Sequence, residues 1–241
     1  MNCILLPKNA TSITEPTQIT HIKEVLKSQV GDSLIIGEIG GKIGKATITS
    51  IDDHEVQLRD VTLDKNPPAK LNLTVVLALP RPKVLRRLIM DMTSLGVNKL
   101  IIVNSYRSQK SYWQSPLLNR MDEFVFEGLQ QAIDTVPMLV EFKKLFKPFI
   151  EDEFPALLED GEQSRAVIAH PYAMQSWKSY LADAKNKYRM PKVLCIGAEG
   201  GWIDYEVDLL CQYGCTSVSL GERILRTETV VNVLLGDWLK A

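Results

Sequence analysis

Histidine and cysteine are scarce in this chain, with three of the first and four of the second among 241 residues. Cys3, Cys195, Cys211 and Cys215 are spaced too unevenly for a disulfide framework, and no histidine stands at ligand spacing from them. They are therefore read as ordinary buried thiols in a reducing compartment, with no metal site expected. No stretch approaches the roughly 18 unbroken apolar residues needed to span a bilayer. Residues 1–7 also lack the basic-then-apolar order of a signal peptide. The expectation is a cytoplasmic protein with no membrane partner. Charge of one sign is missing too: a formal net charge of -1 excludes a uniformly basic nucleic-acid coat. Internal repeats and low-complexity segments are absent, and 45% hydrophobic residues suffice for one large core or two modest ones.

Two kinds of pattern share the chain. Up to about residue 70, short β-rich runs at 33–36, 46–51 and 55–58 are punctuated by Gly40-Gly41 and Asp52-Asp53. A helix expected over 19–28 interrupts them, with Ile22, Val25 and Leu26 along one side, which suggests a small barrel carrying one helix. The segment 64–70 is polar and holds Pro67-Pro68, as a linker would. Beyond it, the run 73–79 reads as a strand buried on both faces. A helix is expected over 83–95, with Val84, Leu85, Leu88, Ile89, Met92 and Leu95 on its apolar face. Gly96 ends it. Further strands are expected at 99–103, 166–169, 192–196 and 216–220, and a last helix over 229–239. Such alternation implies an α/β fold with a parallel sheet covered on both faces. Two domains follow, 1–70 and 71–241.

The near-neutral sum hides a polarised distribution. The segment 81–110 carries Arg81, Lys83, Arg86, Arg87, Lys99, Arg107 and Lys110 against the single acid Asp91, whereas 151–162 holds six acids and no base. One basic face suits local phosphate contacts, although such a run also suits a solvated helix surface. Arg81, Arg86, Arg87, Arg107 and Lys110 are the candidate RNA-binding residues. Tyr106, Tyr112 and Trp113 lie close enough in sequence to stack on a splayed base or to pack in the core.

In a parallel α/β sheet, ligands bind beyond the carboxyl ends of the strands. Three expected strand ends carry unusual residues: Ala169-His170-Pro171, then Ile196-Gly197-Ala198-Glu199-Gly200-Gly201-Trp202, then the run from Leu220 to Thr229. The second lacks dinucleotide-fingerprint spacing. Its glycines would let backbone N–H and C=O groups approach a ligand such as adenine, or simply make a tight turn.

Together the segments resemble the signatures of the 16S ribosomal RNA uridine-N3 methyltransferase family, within the trefoil-knot (SPOUT) methyltransferases. That family shows G-P-E-G-G before a helix, and L-G-x-R-[IV]-L-R-T-E-T leading into the last one. Here the matching residues are Gly197-Ala198-Glu199-Gly200-Gly201 and an unbroken Leu220-Gly221-Glu222-Arg223-Ile224-Leu225-Arg226-Thr227-Glu228-Thr229, while 21–26 resembles the family's H-x-x-x-V-L element. The resemblance spans almost the whole chain. It implies a PUA-like amino-terminal barrel, a deep trefoil knot in the carboxyl-terminal sheet, and a homodimer that grips ribosomal RNA or the small ribosomal subunit.

It also implies S-adenosylmethionine as cofactor, bent between the three loops. Ala169, His170 and Pro171 would contribute from the first loop. Ile196, Gly197, Glu199, Gly200 and Gly201 would do so from the second, and Leu220, Gly221, Ile224, Leu225 and Thr227 from the third. Main-chain groups around Ile196, Leu220 and Leu225 would hold the adenine. Arg226 is the catalytic candidate, because its permanent charge suits a uridine losing its N3 proton. Glu199 and Glu228 suit either a general base or a cap on N–H groups. The chain departs from the family at Ala198, Ser94, Tyr106 and 130–137. Two other readings therefore stay open: a knotted methyltransferase with a different RNA target, and a non-catalytic ribosome-assembly factor.

Overall fold

The computed structural model describes residues 2–158, 165–183 and 190–239. Contacts divide the chain into two compact units, Met1–Ala69 with Val125–Pro137, and Lys70–Phe124 with Met138–Ala241. The segment Val125–Pro137 thus belongs to the first unit, where the two-region reading of the sequence put it in the second.

In the first unit, strands β1 (Ile4–Leu6), β2 (Ser12–Ile13), β3 (Ser33–Glu38), β4 (Ile43–Ile51) and β5 (Val56–Lys65) form a sheet in the order β1-β3-β4-β5-β2. The long strands alternate: Ala46 and Ile48 face the core while Lys45 faces outward, as a half-buried strand requires. Helix α1 (Pro16–Thr20) runs into a π-helical turn over His21–Val25. This wider turn changes the expected helix face. Ile19 and Ile22 are buried, but Val25 (65% exposed) and Leu26 point to solvent, because the i→i+5 bond from Leu26 N–H to His21 O carries them off the buried side. The segment Val125–Pro137 is tied in by polar groups. Gln130 O accepts from the N–H groups of Asn2 (2.9 Å) and Cys3 (3.1 Å), and Thr135 O accepts from Gly40 N–H at 2.7 Å.

The second unit alternates strand and helix. Its elements are β6 (Leu71–Ala78), α2 (Pro82–Ser94), β7 (Val97–Val103), α3 (Met121–Ala132, which continues into the first unit), β8 (Leu139–Lys143), the short α4 (Phe146–Pro148), β9 (Ala166–Ala169), α5 (Trp177–Ala182), β10 (Val193–Ile196), α6 (Asp204–Gln212), β11 (Cys215–Val218) and α7 (Thr227–Trp238). The six strands lie in the order β11-β9-β10-β6-β7-β8. Every pairing is parallel. Val75, Val76, Leu77 and Ala78 are wholly buried, as a central strand covered on both faces demands. Helix α2 starts with Pro82, whose missing N–H costs nothing at a helix's first position, and buries Leu85, Leu88, Ile89 and Met92. It packs near α7, where Asn232 Nδ2 donates to Asp91 Oδ2 at 3.2 Å.

One expectation changes here. Cys3, Cys195 and Cys215 are buried, but Cys211 is exposed, because it lies on the outward side of the last turn of α6. The acidic run continues through Glu159, Asp160 and Glu162, which lie outside the described residues. No described helix is long and apolar enough to cross a membrane.

Candidate functional site

Parallel pairing brings three loops to one edge. Ala169 is in register with Ile196 on one side and with Val218 on the other, so β9, β10 and β11 end level with one another. The chain therefore leaves the sheet three times at adjacent points, after Ala169, Ile196 and Val218. Main-chain and side-chain bonds then lock the exits together. His170 N–H donates to Val218 O at 2.9 Å, and Trp177 N–H to Ser219 O at 2.8 Å. Thr227 Oγ1 donates to Gly197 O at 3.3 Å, tying the third loop to the second.

Two neighbouring cavities open among these loops. One, of about 370 Å³, is lined by Ala169, His170, Pro171, Val218, Leu220, Gly221, Arg223, Ile224, Leu225 and Val230. The other, of about 660 Å³, is lined by Arg107, Ala169, His170, Pro171, Tyr172, the whole segment from Ile196 to Trp202, Ile224, Leu225, Thr227 and Val230. The smaller cavity is walled mainly by aliphatic side chains. Gly221, at φ +109, takes a backbone conformation that a side chain would strain, with open space where a Cβ would stand.

The larger cavity carries polar groups that lack partners within the protein. His170 Nδ1 and Trp202 Nε1 are both buried without a hydrogen bond, and Trp202 is only 2% exposed. Buried polar atoms are normally satisfied, yet two residues lining this cavity each carry a ring nitrogen that no protein group satisfies. Burial pushes the His170 pKa below its ordinary value; the Arg107 charge acts the same way, and Asp204 opposes it. The imidazole is thus held neutral near pH 7.

Every residue assigned to the cofactor from sequence lines one or both cavities: Ala169, His170, Pro171, Ile196, Gly197, Glu199, Gly200, Gly201, Leu220, Gly221, Ile224, Leu225 and Thr227. Arg226 lines neither. It is exposed at the N-cap of α7, between two residues that do. The two glutamates are engaged: Glu199 accepts the Arg81 N–H at 3.0 Å, and Glu228 pairs with Arg87 at 3.1 Å. All five basic candidates, Arg81, Arg86, Arg87, Arg107 and Lys110, are exposed, and the Arg86 guanidinium lies 5.4 Å from the Phe124 ring centre. Arg107 stands apart, reaching into the larger cavity. Trp202, Tyr172 and Val230 were not assigned from sequence. Trp202 directly follows the glycine pair, which was its one available signal. Among the described residues no group of three or more His, Cys, Asp or Glu side chains converges as a metal site.

Comparison with known proteins places this arrangement. Residues 67–238 match the RNA methyltransferase domain family, and residues 13–61 match the RNA methyltransferase PUA domain. The Ribosomal RNA small subunit methyltransferase E of Treponema pallidum is 29% identical, over 88% of this chain and 79% of that protein. Its namesake from Synechocystis is 26% identical, over 95% and 72%. Among solved structures, a Legionella pneumophila protein in complex with SAM aligns with TM-score 0.77 and 19% identity, covering 100% of this chain and 97% of that one. The Neisseria gonorrhoeae Ribosomal RNA small subunit methyltransferase E, bound to S-adenosyl methionine, aligns with TM-score 0.70 and 22% identity, over 100% and 97%.

Proposed function

The chain belongs to the RNA methyltransferase family, and we propose that it transfers a methyl group from S-adenosylmethionine to N3 of a uridine in the RNA of the small ribosomal subunit. The observation that carries this reading is the convergence of the three loops on two neighbouring cavities that together are lined by every residue assigned to the cofactor from sequence. The relatives named as small-subunit methyltransferases support the choice of RNA. The same reading includes a homodimer, a trefoil knot through the carboxyl-terminal strands, and a cytoplasmic location beside the ribosome.

The sulfonium donor supplies an electrophilic methyl group. The protein's task is to hold it and to ready the base. Val218, Leu220, Leu225 and Val230 offer aliphatic walls that would flank an adenine ring, and main-chain groups around Ile196, Leu220 and Leu225 would hold its edge. His170 and Trp202, each with a ring nitrogen that has no partner in the protein, would line the seat of the remainder of the donor. Ile196, Gly197, Gly200 and Gly201 line the same cavity and would hold it there.

Uridine N3 becomes nucleophilic only as its proton leaves, and the resulting charge spreads onto O2 and O4. Arg226 stands outside the donor cavities, on the solvent side of the third loop, where an incoming base arrives. A guanidinium aimed at the uridinate contributes about 2.7–4 kcal/mol, on the scale of a single oxyanion donor. Positioning adds several kcal/mol more. Arg81, Arg86, Arg87 and Lys110 hold phosphates, which makes RNA binding weaken steeply with salt.

The test supplies methyl-labelled donor with small subunits, and separately with naked small-subunit RNA, and locates the modified nucleoside by mass spectrometry. Label on uridine N3 is expected, and Arg226→Ala abolishes it while keeping donor affinity. Label on another nucleotide would overturn the target. Donor binding without transfer to either RNA would overturn catalysis.

A further inference from the structure

Arg107 comes from the basic run, yet the structure commits it elsewhere. It lies in the loop that follows β7, and that loop is pinned on both sides of it. Ahead of it, the Tyr106 N–H donates to Glu206 Oε1 at 2.8 Å. Behind it, Ser108 Oγ donates to Leu79 O at 2.8 Å and lies 3.0 Å from Ser105 Oγ. Glu206 is 3% exposed, and its second oxygen accepts the Ile203 N–H at 3.0 Å. One buried carboxylate thus joins the loop after β7 to the exit of the glycine-rich loop after β10. Strand β6 lies between those two strands, so the sheet itself makes no such link.

Held this way, Arg107 reaches across and closes the link from the other side. Its Nη1 donates to Gly200 O at 2.6 Å and lies 3.5 Å from Trp202 O. Its stem lies against Gly200, where an added Cβ would stand only 2.9 Å from Arg107 Cβ. Glycine at 200 therefore makes room for this arginine.

We propose that Arg107 is a positioning residue for methyl transfer: with Glu206 it fixes the path of the glycine-rich loop, and so the seat of the donor, and it neutralises no RNA phosphate. The inference rests on reading the larger cavity as the donor's. Both contacts come from Nη1, a charged donor at the end of a long stem; a lysine keeps the charge but sets it on a more flexible stem, so it restores the contact only in part.

The test titrates S-adenosylmethionine calorimetrically into the full-length protein and its Arg107→Ala, Arg107→Lys and Glu206→Gln variants. In parallel, binding of small-subunit RNA is followed between about 50 and 200 mM salt, the range over which phosphate contacts show. Loss of charge-assisted bonds predicts donor affinity weaker by about tenfold or more in Arg107→Ala, with partial recovery in Arg107→Lys. The Michaelis constant for donor rises while turnover at saturating donor is largely kept, and the salt slope stays as in the parent. Glu206→Gln reproduces the donor defect, because an amide N–H then faces one of the two backbone donors. A purely structural role would instead lower the folded fraction and leave the donor constant of the remaining enzyme unmoved, which would overturn the proposal. So would unchanged donor affinity with a salt slope reduced by about one, the mark of a lost phosphate contact. If the parent protein itself bound no donor, the reading of the cavity would fail first, and this inference with it.

Discussion

His170 sits where three influences on its proton can be separated. Burial favours the neutral ring, the Arg107 charge favours it further, and Asp204 pulls the other way. The folded pKa therefore lies below the ordinary 6.5. As pH falls from 6.5 through the folded value, the unfolded chain binds the proton first, so stability attributable to this residue is complete above 6.5 and is lost on acidification. NMR titration of the ring, assigned through His170→Gln, should give a midpoint below 6.5. Arg107→Ala should raise that midpoint and Asp204→Asn should lower it. A midpoint at or above 6.5 in the parent would remove the buried neutral ring from the account of the cavity. At this scale the sequence was informative about main-chain features and poor on side-chain commitments. The glycines and strand-end residues of the three loops announced themselves by type and spacing. Arg107 did not, because nothing local tells a phosphate-binding arginine from one that folds back onto carbonyls 93 residues away.

At the scale of elements, helices α2 and α7 carry contrasting kinds of contact. Leu234 of α7 is wholly buried, whereas the Arg87–Glu228 pair between the two helices has side chains 65% and 25% exposed. Leu234→Ala should destabilise the protein by about 2–5 kcal/mol, the transfer loss plus the cavity left behind. Glu228→Gln should cost at most about 1 kcal/mol, since exposed pairs gain little after screening and side-chain entropy. Urea unfolding of both variants checks the ordering; equal losses would mean that the pair acts in a drier setting than its exposure implies. The elements most legible in sequence were those buried on both faces, such as β6, whose apolar run leaves no alternative. Strand β8 was missed because it lies at the sheet edge, where Leu139 is 59% exposed and the burial signal fades. The π turn was equally hidden: its residues read as an ordinary amphipathic helix until the hydrogen bonds are seen.

For the whole molecule, composition and alternation indicated two regions, and the break near residue 70 follows the change from period-two strands to alternating strands and helices. No local pattern marks Val125–Pro137 as joining the residues before that break, because polar bonds between residues distant in sequence leave no periodicity to read. Gln130 accepts from Asn2 and Cys3 through its carbonyl, and its side-chain oxygen takes a bond from Gln18 Nε2 at 3.1 Å. Thr135 bonds Gly40 and, through Oγ1, Gly41. A chain beginning at Lys70 would keep every strand of the parallel sheet yet strip these partners away, leaving Gln130 and Thr135 without these bonds. Each polar group left unsatisfied costs about 1–3 kcal/mol if it stays buried, so the segment should unravel to water instead. We expect amide exchange in residues 125–137 of the truncated protein to approach the rate of an open chain, while β6, β7 and β10 stay protected. S-adenosylmethionine should still bind, because no residue lining either cavity is removed. Continued protection of 125–137 in the truncated chain would show that this segment owes its order to the second unit, and the division at residue 70 would then suffice to describe the protein.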